Sequence, residues 1–589
     1  MRTNRKTEEK KMSMSKNIAR LAVTAGLTAA LSFGGVMAPV TMAFAEGATT
    51  GAADSITINK DAKNGDVKYK AYQIFKADVI DGKNGKVVSN IDWASDKAEK
   101  AVLGYLASVP KSGINAKSSA QDAAKYLTDH SEGTGETTPI DNNNLFNGLA
   151  KAVENSVDQA GTSFAADEVF QPKDTSGNAL QGYYLFVTDG STLSTDQNVK
   201  KNTGTSPIFA VVGGTGVTVT EKTSIPTVDK RILDDTKNKT AVNAETDDWK
   251  NVGDAWIGQV IDYKLTGTVA ANIATYDKYQ YVFQDHLSVG LRADLNSVVV
   301  TIGDVIIPRV DADQSANGYT VNLKETKDKS GNSTGNDLTI SFDNLKAAAE
   351  AEGVTLNENS EVVVKYKATL TDKAEYTATG NTNDVKLVYS NNPMVEGTGT
   401  STSERVTDHV FRLDVTKVEK GKESQKLEAT FQVKMTQEGN TPLKTNRWLT
   451  QTGGITEKEE DAGKFKTDKE TGKIYIPGLV EGTYEITECN TPAGYNTLAP
   501  FTITVKPKYN ADGSLQSLDV TSSNTEMVTS SATNDATIPV TIQNKKGSGL
   551  PLTGLNGVTF TWIAGGAVLC IGVAHLIRSR KQAEKSEQE

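Results

Sequence analysis

The sequence predicts an all-β protein built of tandem antiparallel sandwiches, the first of them carrying helical insertions. Three observations lead there. Short runs such as "VIDYKLTGTV", "EVVVKYKATL", "VKLVYS", "TYEITE" and "FTITVKP" alternate apolar and polar residues with a period of two. Gly, Asn and Asp punctuate these runs where turns are needed. Helical spacing of apolar residues is scarce and gathers in the first third, at 96–108, 119–128 and 144–155.

In chain order, residues 1–45 read as a secretory signal peptide. Lys10, Lys11, Lys16 and Arg20 precede an apolar stretch from Leu21 to about Val40, and Ala43-Phe44-Ala45 offers the small residues that signal peptidase accepts. The mature chain is expected to begin at Glu46. Residues 46–553 are long enough for about three domains. The whole chain carries a formal charge of −10; the first 45 residues contribute +5 and residues 554–589 contribute +1, which leaves −16 for the exported part. Such acidity argues against nucleic acid or an anionic membrane face as a partner.

Two stretches interrupt the strand pattern, "TEKTSIPTVDK" near 220–230 and the Gly/Ser/Thr-rich "NNPMVEGTGTSTSERVTDH" at 391–409. They divide the chain into expected domains at 46–222, 223–404 and 405–548. Of the two cysteines, Cys570 lies in the apolar tail and Cys489 stands alone outside it, so the exported part has no disulfide of its own. Another covalent staple is therefore worth seeking.

The last domain offers one. It opens with "FRLDVTKVEKG", contains "EGTYEITECNTPAGYN" and closes with "VTIQNKKG". On these residues it resembles the CnaB-type, immunoglobulin-like domains of Gram-positive surface proteins: Lys417 matches the opening-strand lysine, Tyr484 to Glu488 the Tyr-x-x-x-Glu box, and Asn544 the closing-strand asparagine. The resemblance implies an intramolecular isopeptide bond between Lys417 and Asn544, with Glu488 catalytic. The residue types suit that chemistry, because an amine attacks an amide carbon only when neutral and burial disfavours the ammonium. A neighbouring carboxyl then shuttles protons as ammonia leaves.

The middle domain resembles the D2-type isopeptide-forming domain of fimbrial subunits through "PTVDKRILDD", "VGDAWIGQVIDYKLTGTV", "YVFQDHLSVGL" and "NTNDVKLVYSNNP". The likeness implies a bond from Lys230 to Asn383, with Asn391 as the alternative, and Asp285 as the catalytic carboxyl, with Asp262 and Asp277 nearby in sequence. The first domain has the same general look in "DSITINKDAKNGDVKYKAYQIFKADV" and "ALQGYYLFVTDGST", yet Val187 stands where the box would place a glutamate after Tyr183. No isopeptide bond is expected there, and Lys60 reads as an ordinary strand lysine.

The end of the chain combines Leu550-Pro551-Leu552-Thr553-Gly554, an apolar run from about Val558 to Ile577 long enough to span a bilayer, and Arg578, Arg580 and Lys581 behind it. This resembles the LPxTG sorting signal of sortase substrates, with 555–589 removed on cleavage after Thr553. In backbone pilins an acceptor lysine ends the first domain in a Val-x-Val-x-x-Lys context, which Val217, Val219 and Lys222 match, although Thr220-Glu221 replaces the usual Tyr-Pro; Lys200 and Lys201 are substitutes.

Taken together, the chain resembles a major (backbone) fimbrial subunit. That implies a secreted, peptidoglycan-anchored cell-wall protein, transiently held in the membrane and joined Thr553 to Lys222 of the next subunit by a class C sortase. Its implied partners are that sortase, identical subunits, a housekeeping sortase with peptidoglycan, accessory pilins and host receptors in cell adhesion. A singly anchored adhesin is the alternative. No cofactor or metal is expected, and no enzymatic turnover: His130, His286, His409 and His575 are scattered, and Cys489 has no histidine partner in sequence.

Overall fold

The computed structural model describes residues 52–82, 85–130, 141–193, 202–221, 223–233, 249–311, 317–531 and 533–547. The leader, Lys200, Lys201, Lys222, the 550–554 motif with Thr553, and the 555–589 tail lie outside these residues. Among the described residues no helix is long and apolar enough to cross a membrane.

The fold is mostly β, and its sheets fall into three sequential blocks. In the first, a sheet ordered Gly85–Trp93, Lys68–Gly82, Gly182–Thr188 and Ile208–Val212 faces a smaller one in which Ile56–Asn59 runs parallel to Val217–Thr220. Helices Asp96–Ser108, Ala120–Asp129 and Leu145–Ser156 insert between its strands, each started by a capping side chain from Ser95, Ser119 or Asn144. They match the three helical spacings to within a residue. Their buried faces, including Leu103, Leu106, Leu127, Phe146 and Leu149, share a core with Phe75, Tyr183 and Phe209.

The middle block packs a six-stranded sheet, with Val228–Leu233, Val260–Thr268 and Glu361–Leu370 adjacent in that order, against a second sheet in which Asn381–Ser390 lies between Glu404–His409 and Tyr281–Ser288. The Gly/Ser/Thr-rich run read as a junction contains two strands, Thr398–Thr400 and Glu404–His409, both paired with Asn381–Ser390. The middle sheet therefore continues past 404 to His409. Small hydroxyl residues hide strand periodicity because either face accepts them. A short helix, Leu345–Ala351, also escapes the sequence pattern; seven residues are too few to display a helical period.

In the last block the opening strand Phe411–Glu419 and the closing strand Thr537–Asn544 are direct parallel neighbours. Their sheet faces one that includes Thr430–Glu438, Gly482–Asn490 and Phe501–Tyr509. The core between the sheets is Phe411, Leu413, Val415, Phe431, Val433, Tyr484, Ile486, Ile503, Ile538, Val540 and Ile542. Contacts tie the blocks together. Lys346 Nζ donates to Asn142 Oδ1 at 3.1 Å and to the carbonyls of Ala274 and Tyr276 at 2.9 and 2.6 Å, while His409 Nε2 meets the Gly513 carbonyl at 2.9 Å.

Candidate functional site

Strand parity builds the site of the last block. Side chains two apart on a strand share a face, so Lys417 continues the inward stripe Phe411, Leu413, Val415. Glu488 continues Tyr484 and Ile486, and Asn544 continues Ile538, Val540 and Ile542. Because Lys417 pairs in register with Ile542 and Glu419 with Asn544, Lys417 and Asn544 are diagonal neighbours on one face. Each polar end is thus delivered to the floor of an apolar core.

All three side chains are buried. Lys417 Nζ donates to Asn544 Oδ1 and lies 3.4 Å from Glu488 Oε1. The Asn544 amide nitrogen donates to both carboxyl oxygens of Glu488, at 2.9 and 3.0 Å. Glu488 is itself held by the Leu498 backbone N–H at 2.8 Å. The carboxamide therefore turns its oxygen to the amine and its prospective leaving nitrogen to the carboxyl. Burial lowers the Lys417 amine to about 8, against the opposing charge of Glu488, so a substantial neutral fraction exists near neutral pH.

The middle block places Lys230, Asp285 and Asn383 on inward positions of Val228–Leu233, Tyr281–Ser288 and Asn381–Ser390, all buried. Lys230 Nζ donates to Asp285 Oδ1. Desolvation lowers the Lys230 amine and raises the Asp285 carboxyl; both directions favour the uncharged pair, because neither ion is solvated between the sheets. The other residues weighed sit elsewhere. Asp262 is partly exposed and 3.5 Å from Lys367, and Asp277 pairs with Lys151 at the surface. Asn391 is buried just past the end of its strand at Ser390, where its backbone carbonyl accepts from the Gly204 N–H at 2.6 Å.

One member of this cluster was not anticipated. Tyr366, inward on Glu361–Leu370 and stacked on Tyr263 at 5.2 Å, donates its hydroxyl to Asp285 Oδ2 at 2.6 Å. The Tyr366 hydroxyl oxygen in turn accepts from Asn383 Nδ2 at 2.7 Å and from Lys230 Nζ at 3.3 Å. Among the described residues Asn383 Oδ1 has no hydrogen-bond partner. The signal was available in "EVVVKYKATL", where the parity of Val362 and Val364 turns the tyrosine into the core.

The first block shows a different arrangement. Lys60 is partly exposed and paired with Asp66 at 2.9 Å, and Val187 is a buried strand residue. A buried carboxyl does occur nearby, at Glu221, directly before Lys222 in sequence. It accepts from the Asp61 backbone at 2.9 Å, from Asn64 Nδ2 at 3.2 Å and from the Tyr69 hydroxyl. Burial pushes it from 4.5 up to about 7. The folded state then holds a proton that the unfolded chain releases, so this stabilisation is complete below pH 4.5, falls as pH rises to about 7, and is flat above. The expected loss across that window is about 3 kcal/mol. Urea unfolding of the first block should lose this slope in a Glu221→Gln chain; an unchanged slope would contradict it.

Cys489 is exposed at its strand end; His130 lies in the first block, and His286 and His409 lie on different strands of the middle one. Among the described residues no group of three His, Cys, Asp or Glu side chains is placed to hold a metal ion.

Residues 411–524 match the family model described as "SpaA: Prealbumin-like fold domain". No curated protein sequence matches the chain. Among solved structures, the chain is similar to the T6 backbone pilin of serotype M6 Streptococcus pyogenes, at 14% identity over 85% of this chain and all of that one, with a TM-score of 0.46. It is also similar to the Corynebacterium diphtheriae major pilin SpaA, at 14% identity over 84% of this chain and 100% of that one, TM-score 0.43. The group B streptococcus pilus 2b backbone protein shares 22% identity over 51% of this chain and 97% of that one, TM-score 0.36. Likenesses of this size do not by themselves assign a function.

Proposed function

We propose that the chain is the major structural subunit of a covalently polymerised surface fibre, stiffened by two intramolecular isopeptide bonds. The observation that carries this reading is the pair of buried clusters, Lys417 with Glu488 and Asn544, and Lys230 with Asp285 and Asn383, each lodged between the sheets of its block. Amines, carboxyls and carboxamides are costly to bury as structural ornaments. Condensation replaces an amine and a primary amide by one secondary amide and removes the ionisable amine altogether.

The bond in the last block joins opening and closing strands that already run side by side, so tension applied to the two ends passes through covalent links rather than through the sheet ladder. The sequence motifs supply the rest of the reading. After export and removal of the leader, a class C sortase cleaves after Thr553 and transfers the chain to Lys222 of the next subunit, and a housekeeping sortase fixes the fibre to peptidoglycan. Accessory pilins and a host receptor belong to the same reading. The chain is a substrate of these enzymes and performs one self-directed condensation in each of its middle and last blocks.

Two measurements test it. The mature chain should be lighter than its translated mass by two ammonia equivalents, about 17 Da each, mapped to Lys417–Asn544 and Lys230–Asn383. Wall extracts of the producing cell should give a ladder of high-mass species on a denaturing gel, and Lys222→Ala should collapse the ladder to monomer. A single anchored band from the wild-type chain would favour the adhesin, and an unaltered mass would end the isopeptide reading.

A further inference from the structure

The two clusters solve one problem in different ways. In the last block the carboxyl of Glu488 touches the asparagine nitrogen directly, at 2.9 and 3.0 Å. In the middle block the carboxyl belongs to an aspartate, one methylene shorter, and the contact to Asn383 Nδ2 is made by the Tyr366 hydroxyl at 2.7 Å. That hydroxyl is bonded at 2.6 Å to Asp285 Oδ2, while the other carboxyl oxygen takes Lys230 Nζ. Tyr366 thus completes a ring that runs from amine to carboxyl to phenol to leaving nitrogen.

We propose that Tyr366 is a catalytic residue of the middle block, relaying the Asp285 proton to the departing nitrogen of Asn383. This rests on the isopeptide reading above. The neutral Lys230 amine attacks Asn383 Cγ, forming a C–N bond while the carbonyl electron pair moves to Oδ1. In the adduct Nδ2 loses amide conjugation and becomes a base. Tyr366 passes its hydroxyl proton to Nδ2 and takes the Asp285 carboxyl proton in exchange. The C–Nδ2 bond breaks, ammonia leaves with that proton and its own two, and Oδ1 returns its electrons to the carbonyl. Asp285 recovers its proton from the new Lys230 nitrogen. The sum is amine plus primary amide to secondary amide plus ammonia, with Tyr366 and Asp285 restored.

The experiment follows formation of each cross-link over time by peptide mapping of the full-length chain. In Tyr366→Phe, Lys230–Asn383 should form about 100-fold more slowly, while Lys417–Asn544 forms at the wild-type rate. Adding Asp285→Glu to Tyr366→Phe should recover much of the rate, because the longer carboxyl reaches the nitrogen as Glu488 does. Tyr263→Phe is the packing control: it also loses a buried hydroxyl, here one bonded to Asp408, but should cross-link normally. Cross-linking of Tyr366→Phe at the wild-type rate would overturn the relay, as would equal losses in both phenylalanine variants. Absence of the Lys230–Asn383 bond from the wild-type chain would instead overturn the reading on which the relay rests.

Discussion

A Glu488→Ala chain should retain a free Lys417 and a free Asn544, so that it falls short of its own translated mass by one ammonia, about 17 Da, where the wild-type chain falls short by two. Glu488 lies 3.4 Å from the Lys417 amine and 2.9 Å from the Asn544 amide nitrogen, and in the proposed condensation its removal would take away the group that exchanges protons between them. General acid–base catalysis by one such side chain is worth about 10²–10⁴ in rate. The structural cost is larger than the loss of two hydrogen bonds. Lys417 and Asn544 are 127 residues apart, and an open loop of that length gives the unfolded last block about 5 kcal/mol of extra conformational freedom. Its thermal midpoint should fall by on the order of 10 °C. In the wild-type chain, the rate of bond formation should rise with pH through about 8, where the Lys417 amine becomes neutral, and level off above. A Glu488→Ala chain that still lacked ammonia at Lys417–Asn544 would remove Glu488 from the chemistry.

Asp285→Ala should damage the middle block more severely. It deletes the carboxyl that accepts from Lys230 and from Tyr366, leaving a fully buried amine beside a phenol. Breaking a buried pair on one side costs about 3–5 kcal/mol, in addition to the lost cross-link. The companion chain Lys230→Met/Asp285→Leu places apolar groups of similar size in the same space and should recover most of the folding stability without forming the bond. Urea unfolding and limited proteolysis of the three chains separate the two contributions. Equal stability of Asp285→Ala and wild type would show that the pair does not support the core.

Much of this was legible in the sequence because strand parity is local. Alternation in "FRLDVTKVEKG", "TYEITE" and "VTIQN" puts Lys417, Glu488 and Asn544 on the apolar faces of their strands without knowledge of any partner. The three inserted helices were equally legible, since each is long enough to show its own period. Parity turns Asp262 away from the face of Ile261, Tyr263 and Leu265, but it could not choose between Asp277 and Asp285, or between Asn383 and Asn391, as neighbours of Lys230. That choice depends on which strands face each other across the sandwich.

The sequence by itself determined the β class and the inward placement of the reactive side chains, because a period of two is a property of each strand alone. Only the tertiary structure decided that Tyr366 joins Asp285 and Asn383, that Glu221 is buried against Tyr69, and that the middle sheet runs on to His409. Each of these unites residues far apart in the chain, and the geometry that does so comes from sheets packing face to face and from register between distant strands, which no local pattern records.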